Sequence, residues 1–414
     1  MGDPLLAGDI DLAVFLIVAL KAIVAFVLLL VSVMLMVWFE RKIIADMQHR
    51  IGPNKAGPWG ILQTLADGTK LFFKEDLLPE RADRAVFRRA PLLMLLPAYL
   101  IFAIVPVGGD FSGGDGTVEL FGHRTYLQLA DPPVGILFFL AMSALAVYGV
   151  MLAGWSSGSK YPLLGGVRAS AQVVSYEAAL GLSTAAVVLV SGAISTHDMV
   201  AVQAGEGFRG IVPNWNLFVA GFVPAVIFLI AGTAEAHRPP FDLTEAESEL
   251  VGGYNTEYSS VRFALFYLAE FMGTITMSAI VVTLFFGGPA GPILTDTLGW
   301  VWPMLWFFLK LVVFLYIFVW LRGTLPRLRY DQLMDFGWKR LIPAALAWLL
   351  FLGTIRVANS SDWSTGQVVL AWAVALAVLL AGWGLLLLSM RAAARTRAEA
   401  ADAPSGDEFG EVLV

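Results

Sequence analysis

Long apolar runs alternate with short polar connections along almost the whole chain. A helix of about 20 apolar residues crosses the roughly 30 Å hydrocarbon layer of a bilayer, and each run is close to that length or longer. The runs occupy residues 12–39, 91–107, 134–153, 169–190, 217–234, 261–286, 300–321, 341–357 and 368–390. The pattern therefore predicts an all-α polytopic membrane protein with nine transmembrane helices.

The connection between the first two runs contains a different helical pattern. From Trp59 to Lys74, apolar residues recur at helical spacing on one face and polar residues on the other. The apolar face carries Leu62, Leu65, Thr69, Phe72 and Phe73, and the polar face carries Gln63, Asp67, Lys70 and Lys74. This arrangement predicts an amphipathic helix at the membrane surface, with a helix packed beneath a partner protein as the alternative.

The segment between the fifth and sixth runs, residues 234–258, concentrates carboxylates beside a single cation, Arg238. Its acidic residues are Glu235, Asp242, Glu245, Glu247, Glu249 and Glu257. Desolvation and mutual repulsion both disfavour ionisation of carboxylates that crowd beside a bilayer. An ordinary loop does not need this density of acidic groups, so the segment is a candidate functional site.

The composition supports the membrane assignment, because 58% of the 414 residues are hydrophobic and only 14% are charged. In such a chain the net charge of -6 does not indicate nucleic-acid binding. Of the 27 Lys and Arg residues, 22 lie in connections on one side of the predicted membrane and 3 on the other. The positive-inside rule then places the acidic loop and the C-terminus in the cytoplasm, and the N-terminus outside.

The chain contains no cysteine, so it cannot form a disulfide, a thiolate zinc site or an iron–sulfur cluster from its own residues. The four histidines fall in predicted loops, which argues against a haem held between transmembrane helices. They are His49, His123, His197 and His237. We therefore assign no metal site and no catalytic residue, and expect any electron-transfer centre to belong to partner proteins.

Glu177, Glu270 and Lys310 fall inside predicted transmembrane helices. A charge at the centre of such a helix costs about 2.5 to 3.5 kcal/mol on insertion scales, so these side chains should face protein, water or each other. A pair between Glu270 and Lys310 is one such arrangement.

The carboxylates together are interpreted as a proton path. Its members are Glu40, Asp67, Glu235, Glu245, Glu249 and Glu257 near the cytoplasmic face, and Glu177 and Glu270 further inside. The alternative is a set of structural ion pairs with Arg41, Arg168, Arg238 and Lys310.

Four motifs together resemble one family of membrane proteins. They are ERKIIADMQHRIGPNKAGPWGILQTLADGTKLFFKED (residues 40–76), KYPLLGGVRASAQVVSYE (160–177), AEAHRPPFDLTEAESELVGGYNTEYSS (234–260) and FVWLRGTLPRLRYDQLMDFGWK (318–339). The family is the H subunit, also called subunit 1, of the proton-pumping NADH–quinone oxidoreductase known as respiratory complex I. The motifs occur in the same order and in the expected loops, across residues 12–357.

The resemblance implies an eight-helix membrane core at residues 1–357. The extension at 358–414 lies beyond the part that it matches, and there the apolar pattern predicts a ninth helix and the composition a disordered tail. It also implies a bacterial-type plasma membrane and quinone as the substrate, with flavin and iron–sulfur clusters in partner subunits. The partners that it implies are the hydrophilic quinone-site and iron–sulfur subunits, the small membrane subunits and the antiporter-like subunits. The chain would help to form the quinone chamber and would couple quinone reduction to proton translocation.

The resemblance also implies roles for individual residues. The charged funnel corresponds to Glu40, Asp67, Glu245, Glu247 and Glu257, the inward channel to Glu177, Glu235 and Glu270, and the matching basic positions to Arg41, Arg50, Arg168, Arg238 and Lys310. The quinone is expected to pass the first and sixth helices and the surface helix, where Trp59, Leu62, Leu65, Phe72 and Phe73 would line the chamber. Many relatives carry Asn in place of His237, so His237 is not assigned as a required proton carrier.

Three alternatives remain open. The equivalent component of a membrane-bound hydrogenase or ferredoxin-driven complex shares part of the motif pattern. A free-standing ion antiporter is expected to show inverted repeats and broken helices, which are not evident in the sequence. A purely structural anchor would use the surface helix and the acidic loop only to dock hydrophilic subunits.

Overall fold

The computed structural model describes residues 3–6, 11–111, 115–205, 214–243, 247–292, 299–360, 363 and 365–402. The side chains of residues 247, 248, 385–387 and 389–402 are not described. Glu245 and the predicted tail at 403–414 therefore lie outside the described residues, and only the backbone of Glu247 is described.

Helices account for most of the described chain, as predicted. They are α1 (Leu12–Met47), α2 (Gln63–Phe73), α3 (Arg84–Ala103), α4 (Gly135–Ser156), α5 (Lys160–Ser191), α6 (Thr196–Ala204), α7 (Asn216–Val219), α8 (Phe222–Glu235), α9 (Glu247–Leu250), α10 (Ser260–Phe285), α11 (Val301–Thr324), α12 (Tyr330–Phe336), α13 (Ile342–Ser360) and α14 (Thr365–Asp402). Strands β1 (Thr117–Leu120) and β2 (His123–Tyr126) form an antiparallel hairpin between α3 and α4. This confirms an all-α membrane fold with a small β-hairpin.

Eight helical segments of the described chain are long and apolar enough to cross a membrane. They coincide with eight of the nine predicted spans. At the fifth predicted span, Gly221 separates α7 from α8, and α8 has only 14 residues. A helix of that length extends about 21 Å, which is shorter than the roughly 30 Å hydrocarbon layer. By itself, α8 is therefore too short to cross that layer.

Helix α10 lies at the centre of the helices α1 to α11, where it packs against α1, α3, α8 and α11. Its buried hydroxyl groups donate to nearby carbonyls: Ser278 bonds to Thr274 of α10 at 2.9 Å, and Thr276 bonds to Ala98 of α3 at 3.3 Å. Small residues with locally satisfied hydroxyl groups allow helices to approach closely inside a membrane. The position of α10 brings its side chains within reach of four other helices.

Helix α5 begins at Lys160, nine residues before the predicted span, and its first turns carry Gly165 and Gly166. A Cβ atom at Gly165 would lie 2.7 Å from both the carbonyl carbon of Gly253 and the amide nitrogen of Tyr254. Only glycine permits this contact. The later part of the acidic segment therefore rests directly on the backbone of α5.

Two compact units divide the chain, at residues 1–346 and 347–414. The first contains α1 to α12 and the first residues of α13. The second contains the rest of α13 and α14. The predicted boundary at residue 357, between a family core and an extension, stays a prediction.

Candidate functional site

Glu40, near the C-terminal end of α1, is a buried carboxylate that contacts two arginines. Its side chain is 6% exposed. Arg322 from α11 forms an ion pair with Glu40 Oε1, and Arg238, which follows α8, approaches Glu40 Oε2 through Nη1 at 3.3 Å. A buried carboxylate remains ionised only where paired charges compensate for the lost hydration. The two guanidinium groups provide that compensation.

Arg238 continues the contacts from Glu40 to α10. Its Nε lies 3.4 Å from Glu270 Oε1 and donates to Thr274 Oγ1 at 3.2 Å. The guanidinium carbon lies 4.2 Å from the centre of the Phe271 ring, a cation–π contact. Arg322, Glu40, Arg238 and Glu270, here called the charged cluster, therefore alternate in charge and join α11, α1 and α10.

An open surface pocket of about 620 Å³ lies beside the charged cluster. Its lining comprises Val37, Glu40, Arg41, Ile44, Arg50, Ile51, Gly52, Pro53, Gln63, Tyr267, Phe271 and Arg322. The volume falls within the range of about 300 to 1,000 Å³ that is typical of small-molecule sites. The pocket combines apolar walls with guanidinium and carboxylate groups, so it suits an apolar ligand with a polar head.

Helix α2 confirms the predicted amphipathic helix but begins at Gln63, four residues after the predicted start, because the turn at Trp59 precedes it. Gln63, on its polar side, borders this pocket. Asp67 accepts hydrogen bonds from Arg41 Nη1 at 2.7 Å and from Gln63 Nε2 at 3.1 Å, and Trp38 Nε1 donates to the carbonyl of Trp59 at 2.9 Å. These contacts attach the surface helix to α1.

The five side chains predicted to line the quinone chamber do not line this pocket. Trp59, Leu62, Leu65, Phe72 and Phe73 are all exposed on the chain. Leu65, Phe72 and Phe73 belong to α2, Leu62 precedes it, and Trp59 lies in a separate short turn. The residue that α2 contributes to the pocket is Gln63.

We expect Asp67→Asn to lower stability by about 0.2 to 1 kcal/mol at neutral pH, because the Arg41 pair is partly exposed to solvent. Partial burial opposes ionisation, but the hydrogen bonds and charge of Arg41 hold the pKa of Asp67 below its usual value. The stabilisation should therefore be present above the unfolded-state pKa of about 3.9 and disappear as the pH falls through the lower folded-state pKa. Thermal midpoints of the two proteins between pH 7 and pH 3 test this, and a difference that grows towards acid would contradict it.

An interior cavity of about 60 Å³ lies on the other side of Glu270. Glu235, His237 and Glu270 line it, together with mainly apolar side chains of α3, α4, α5 and α10. The hydroxyl of Ser143 is hydrogen-bonded to Glu235 Oε1, while Glu235 Oε2 and His237 Nε2 are buried without a hydrogen-bond partner among the described residues. Glu177 of α5 lies within electrostatic reach of Glu235. Glu270 thus belongs to the charged cluster and also to the cavity wall.

Arg168, Glu249 and Glu257 line neither the surface pocket nor the interior cavity, whereas Arg50 is part of the pocket wall. Arg168 and Glu249 form a partly exposed ion pair at 2.7 Å. Arg50 lines the surface pocket and donates from Nε to Gln48 Oε1 at 2.7 Å. Glu257 is partly buried in the segment before α10.

Lys310 does not pair with Glu270. Its ammonium donates to the carbonyls of Phe286, Gly288 and Ala290 at 2.8, 2.9 and 2.8 Å, just beyond the C-terminal end of α10. Three donors meet three carbonyls, next to a helix end that carries partial negative charge. Glu270 lies near the middle of α10 and instead contacts Arg238.

Lys310→Met should lower the free energy of unfolding by about 1.5 to 3 kcal/mol, the range for hydrogen bonds to a charged group. The reason is that the carbonyls beyond α10 lose their only described ammonium contact. Thermal midpoints in detergent measure the effect, and Lys339→Met, at an exposed i,i+4 pair with Asp335, is the control. An unchanged midpoint accompanied by lost proton translocation would instead place Lys310 in the proton path.

Sequence reasoning missed several residues of the site. Arg322 contributed only to the count of cytoplasmic positive charges, although it contacts Glu40, 282 residues earlier. Asp242 pairs with Arg327 at 2.7 Å, and Gln172 Nε2 donates to the carbonyls of Ala234 and Phe241 at 2.9 and 2.8 Å. A buried glutamine in an apolar span is a signal that could have indicated Gln172, whereas Arg322 resembles any arginine at a cytoplasmic helix end.

Across the part of the chain that the structure describes, no group of three or more His, Asp or Glu side chains is arranged to hold a metal ion. The site therefore offers ion pairs, an open pocket and buried carboxylates. Carboxylates in such surroundings can accept and release protons.

Comparison with known proteins identifies similar chains. The sequence profile of a family described as NADH dehydrogenase matches residues 20–353. A protein from Frankia alni, named as the H subunit of NADH-quinone oxidoreductase, is 50% identical over 359 residues, covering 86% of this chain and 76% of the relative. Proteins of the same name from Frankia casuarinae and Streptomyces avermitilis are 50% and 45% identical, covering 85% and 89% of this chain and 76% and 80% of the relatives.

Proposed function

This chain belongs to the NADH dehydrogenase family, as an H subunit of NADH–quinone oxidoreductase, and from that premise we propose that its surface pocket receives the quinone headgroup. As an integral membrane component of complex I, it works together with other subunits of that assembly. We assign the flavin and the iron–sulfur clusters to partner subunits, because this chain has no cysteine to ligate a cluster. The role of this chain is then to position quinone and to pass on the effect of its reduction.

The observation that carries the proposal is the continuity of the charged cluster. Arg322 and Glu40 line the surface pocket, Arg238 contacts both Glu40 and Glu270, and Glu270 lines the interior cavity with Glu235. A change of charge at the pocket therefore has a series of contacts as far as Glu270, which shares the interior cavity with Glu235.

Reduction of a quinone by two electrons requires two protons, and negative charge develops on its oxygens before they arrive. That charge competes with Glu40 for the guanidinium of Arg322. At 4 Å and an effective dielectric constant of 20, two unit charges interact by about 4 kcal/mol, which is enough to change the preferred pairing of a neighbouring carboxylate. Arg238 then shifts towards the carboxylate that carries more negative charge, and the proton affinities of Glu40 and Glu270 change together.

Protons would continue through Glu235 and Glu177. The residues of the acidic segment, Glu245, Glu247 and Glu257, with Asp67 at the surface helix, would form the charged funnel on the cytoplasmic side. Arg41, Arg50 and Arg168 lie at that face as the supporting basic residues. This orientation rests on the excess of Lys and Arg in the connections that share that side.

The exposed apolar side chains of α2, Leu65, Phe72 and Phe73, with Trp59 and Leu62 just before the helix, would contact the quinone tail or the lipid around its path. A polyprenyl tail and an acyl chain both suit such an exposed apolar face. The headgroup and the tail would then contact opposite sides of the same surface helix.

The proposal is tested by Arg322→Gln in the assembled complex, with Arg340→Gln as an exposed arginine control. We expect a raised KM for a short-chain quinone and a lower ratio of protons translocated to electrons transferred, because the ligand and Glu40 both lose a guanidinium contact. NADH oxidation and proton uptake measured in the same proteoliposomes give both quantities. Unchanged KM and ratio in an assembled Arg322→Gln complex would overturn the assignment.

Purification through a tag on this chain separates the remaining alternatives. A co-purifying hydrogenase or ferredoxin module would change the electron donor, and a stable lone chain would favour an antiporter. Assembly defects without coupling defects across the charged-cluster variants would favour a structural anchor.

A further inference from the structure

Two buried polar atoms at the wall of the interior cavity have no hydrogen-bond partner among the described residues. They are Glu235 Oε2 and His237 Nε2, and both side chains line the cavity. Leaving a buried polar group unpaired costs about 1 to 3 kcal/mol, and more for a charged group. Such groups in native proteins are usually satisfied by ordered water.

The cavity is large enough for that water. A water molecule needs about 10 to 15 Å³ of space accessible to its centre, together with two to four polar partners, and this cavity offers about 60 Å³. Glu235, His237 and Glu270 supply polar groups on three parts of its wall. The remaining lining is mainly apolar and includes Met94 and Met277. The hydroxyls of Ser143 and Thr276 also line the cavity, but they already donate to Glu235 and to the carbonyl of Ala98, so water inside it depends mainly on the three side chains.

We propose that this cavity binds a small group of water molecules and that His237 is the positioning residue that holds them between Glu235 and Glu270. The inference rests on the proposed proton path and adds the link between its two carboxylates. His237 contributes hydrogen bonds to the water, and it does not carry the proton as a charged group.

The environment of His237 supports a neutral role. Burial, and then the positive charge of Arg238, lower the pKa of His237 to about 4. The charged groups that line the cavity with it are Glu235 at the end of α8 and Glu270 on α10, whereas α3, α4 and α5 contribute only uncharged side chains. A neutral imidazole offers one donor and one acceptor, which suits it to bind water at neutral pH.

The backbone of His237 is also unusual. Its φ of 53° lies in the left-handed region, which is unfavourable for a residue with a Cβ. Its amide donates to the carbonyl of Ala234 at 3.3 Å, which closes the turn after α8. Residues held in such conformations cluster at functional sites, where the surrounding structure compensates for the strain. Here the turn directs the imidazole into the cavity wall.

The test compares His237→Leu with His237→Asn in the assembled complex. Leucine fills similar space without hydrogen bonds, so we expect the ratio of protons to electrons to fall by at least about twofold, since one link of a hydrogen-bonded series is lost. Asparagine keeps a neutral donor and acceptor and should retain nearly the native ratio and the native pH profile. His123→Leu, in the β-hairpin, is the control for the same replacement.

Two results would overturn the proposal. A native ratio in His237→Leu would show that no link depends on this side chain, and an equal loss in His237→Asn would show that an amide cannot replace the imidazole. Glu235→Gln tests the proposed proton path separately from the role of His237. Normal proton translocation in that variant would reject the path, whatever the result for the His237 variants.

A second measurement does not require the leucine variant to assemble. Radiolysis generates hydroxyl radicals from water bound beside a side chain. Met277, which lines the cavity, should therefore be oxidised faster in the native complex than Met199, which is buried away from the cavity. The Asn variant should keep this difference. Equal and slow oxidation of both methionines in the native complex would show that no water occupies the cavity.

Discussion

Arg238→Met is expected to lower the free energy of unfolding by about 3 to 5 kcal/mol, the range for removing one partner of a buried ion pair. Arg238 is 3% exposed and contacts both Glu40 and Glu270. Methionine fills comparable space, so the loss reflects charge and hydrogen bonding more than volume. The same change should abolish quinone-driven proton translocation, because it separates the surface pocket from the interior carboxylates.

Thermal unfolding in detergent measures the first effect, and proton uptake by proteoliposomes measures the second. Arg340→Met, at an exposed position, controls for the replacement. Arg238→Lys keeps the charge but has one ammonium in place of the guanidinium fork, so it should bind one carboxylate at a time and give intermediate values. Native stability and native translocation in Arg238→Met would contradict both the pairing and its proposed role.

Glu235→Gln is expected to reduce proton translocation by more than about tenfold, because an amide cannot accept and release a proton in the path. The replacement keeps the size of the side chain and can keep a hydrogen bond with Ser143, so assembly should remain close to normal. Glu177→Gln is expected to act in the same way, since its carboxylate lies within reach of Glu235.

The measurement combines the amount of assembled complex with the number of protons translocated for each NADH oxidised. Glu119→Gln, on the exposed part of the β-hairpin, is the matched control and should change neither. If an assembled Glu235→Gln complex translocates protons normally, Glu235 has no place in the path and its burial is purely structural.

The length of the apolar runs was sufficient to predict most of the spans, because a bilayer imposes both a length and an apolar composition on every crossing helix. Eight predicted spans coincide with long helices of the described chain. The fifth differs because hydropathy averages over the break at Gly221, where φ is 86°. The extension of α5 back to Lys160 was also missed, since its first turns carry polar residues and glycines rather than an apolar run.

Individual site residues were easier to predict than their partners. Glu40, Arg238 and Glu270 are conspicuous as charges beside or within apolar runs, yet their contact depends on how α1, α8 and α10 pack. Lys310 illustrates the difference, because its depth suggested Glu270 as a partner while the structure gives it three carbonyls beyond the end of α10. Arg322 escaped notice because helix packing alone brings it to Glu40.

The direct backbone contact at Gly165 has a mechanical consequence for the membrane interior. Where two backbones touch without side chains between them, no rotamer change can absorb a displacement. A movement of the segment around Gly253 towards α5 would therefore displace α5 as a rigid helix. Glu177 lies 12 residues further along that helix, so a displacement of the acidic segment against Gly165 would change the depth or the tilt of Glu177.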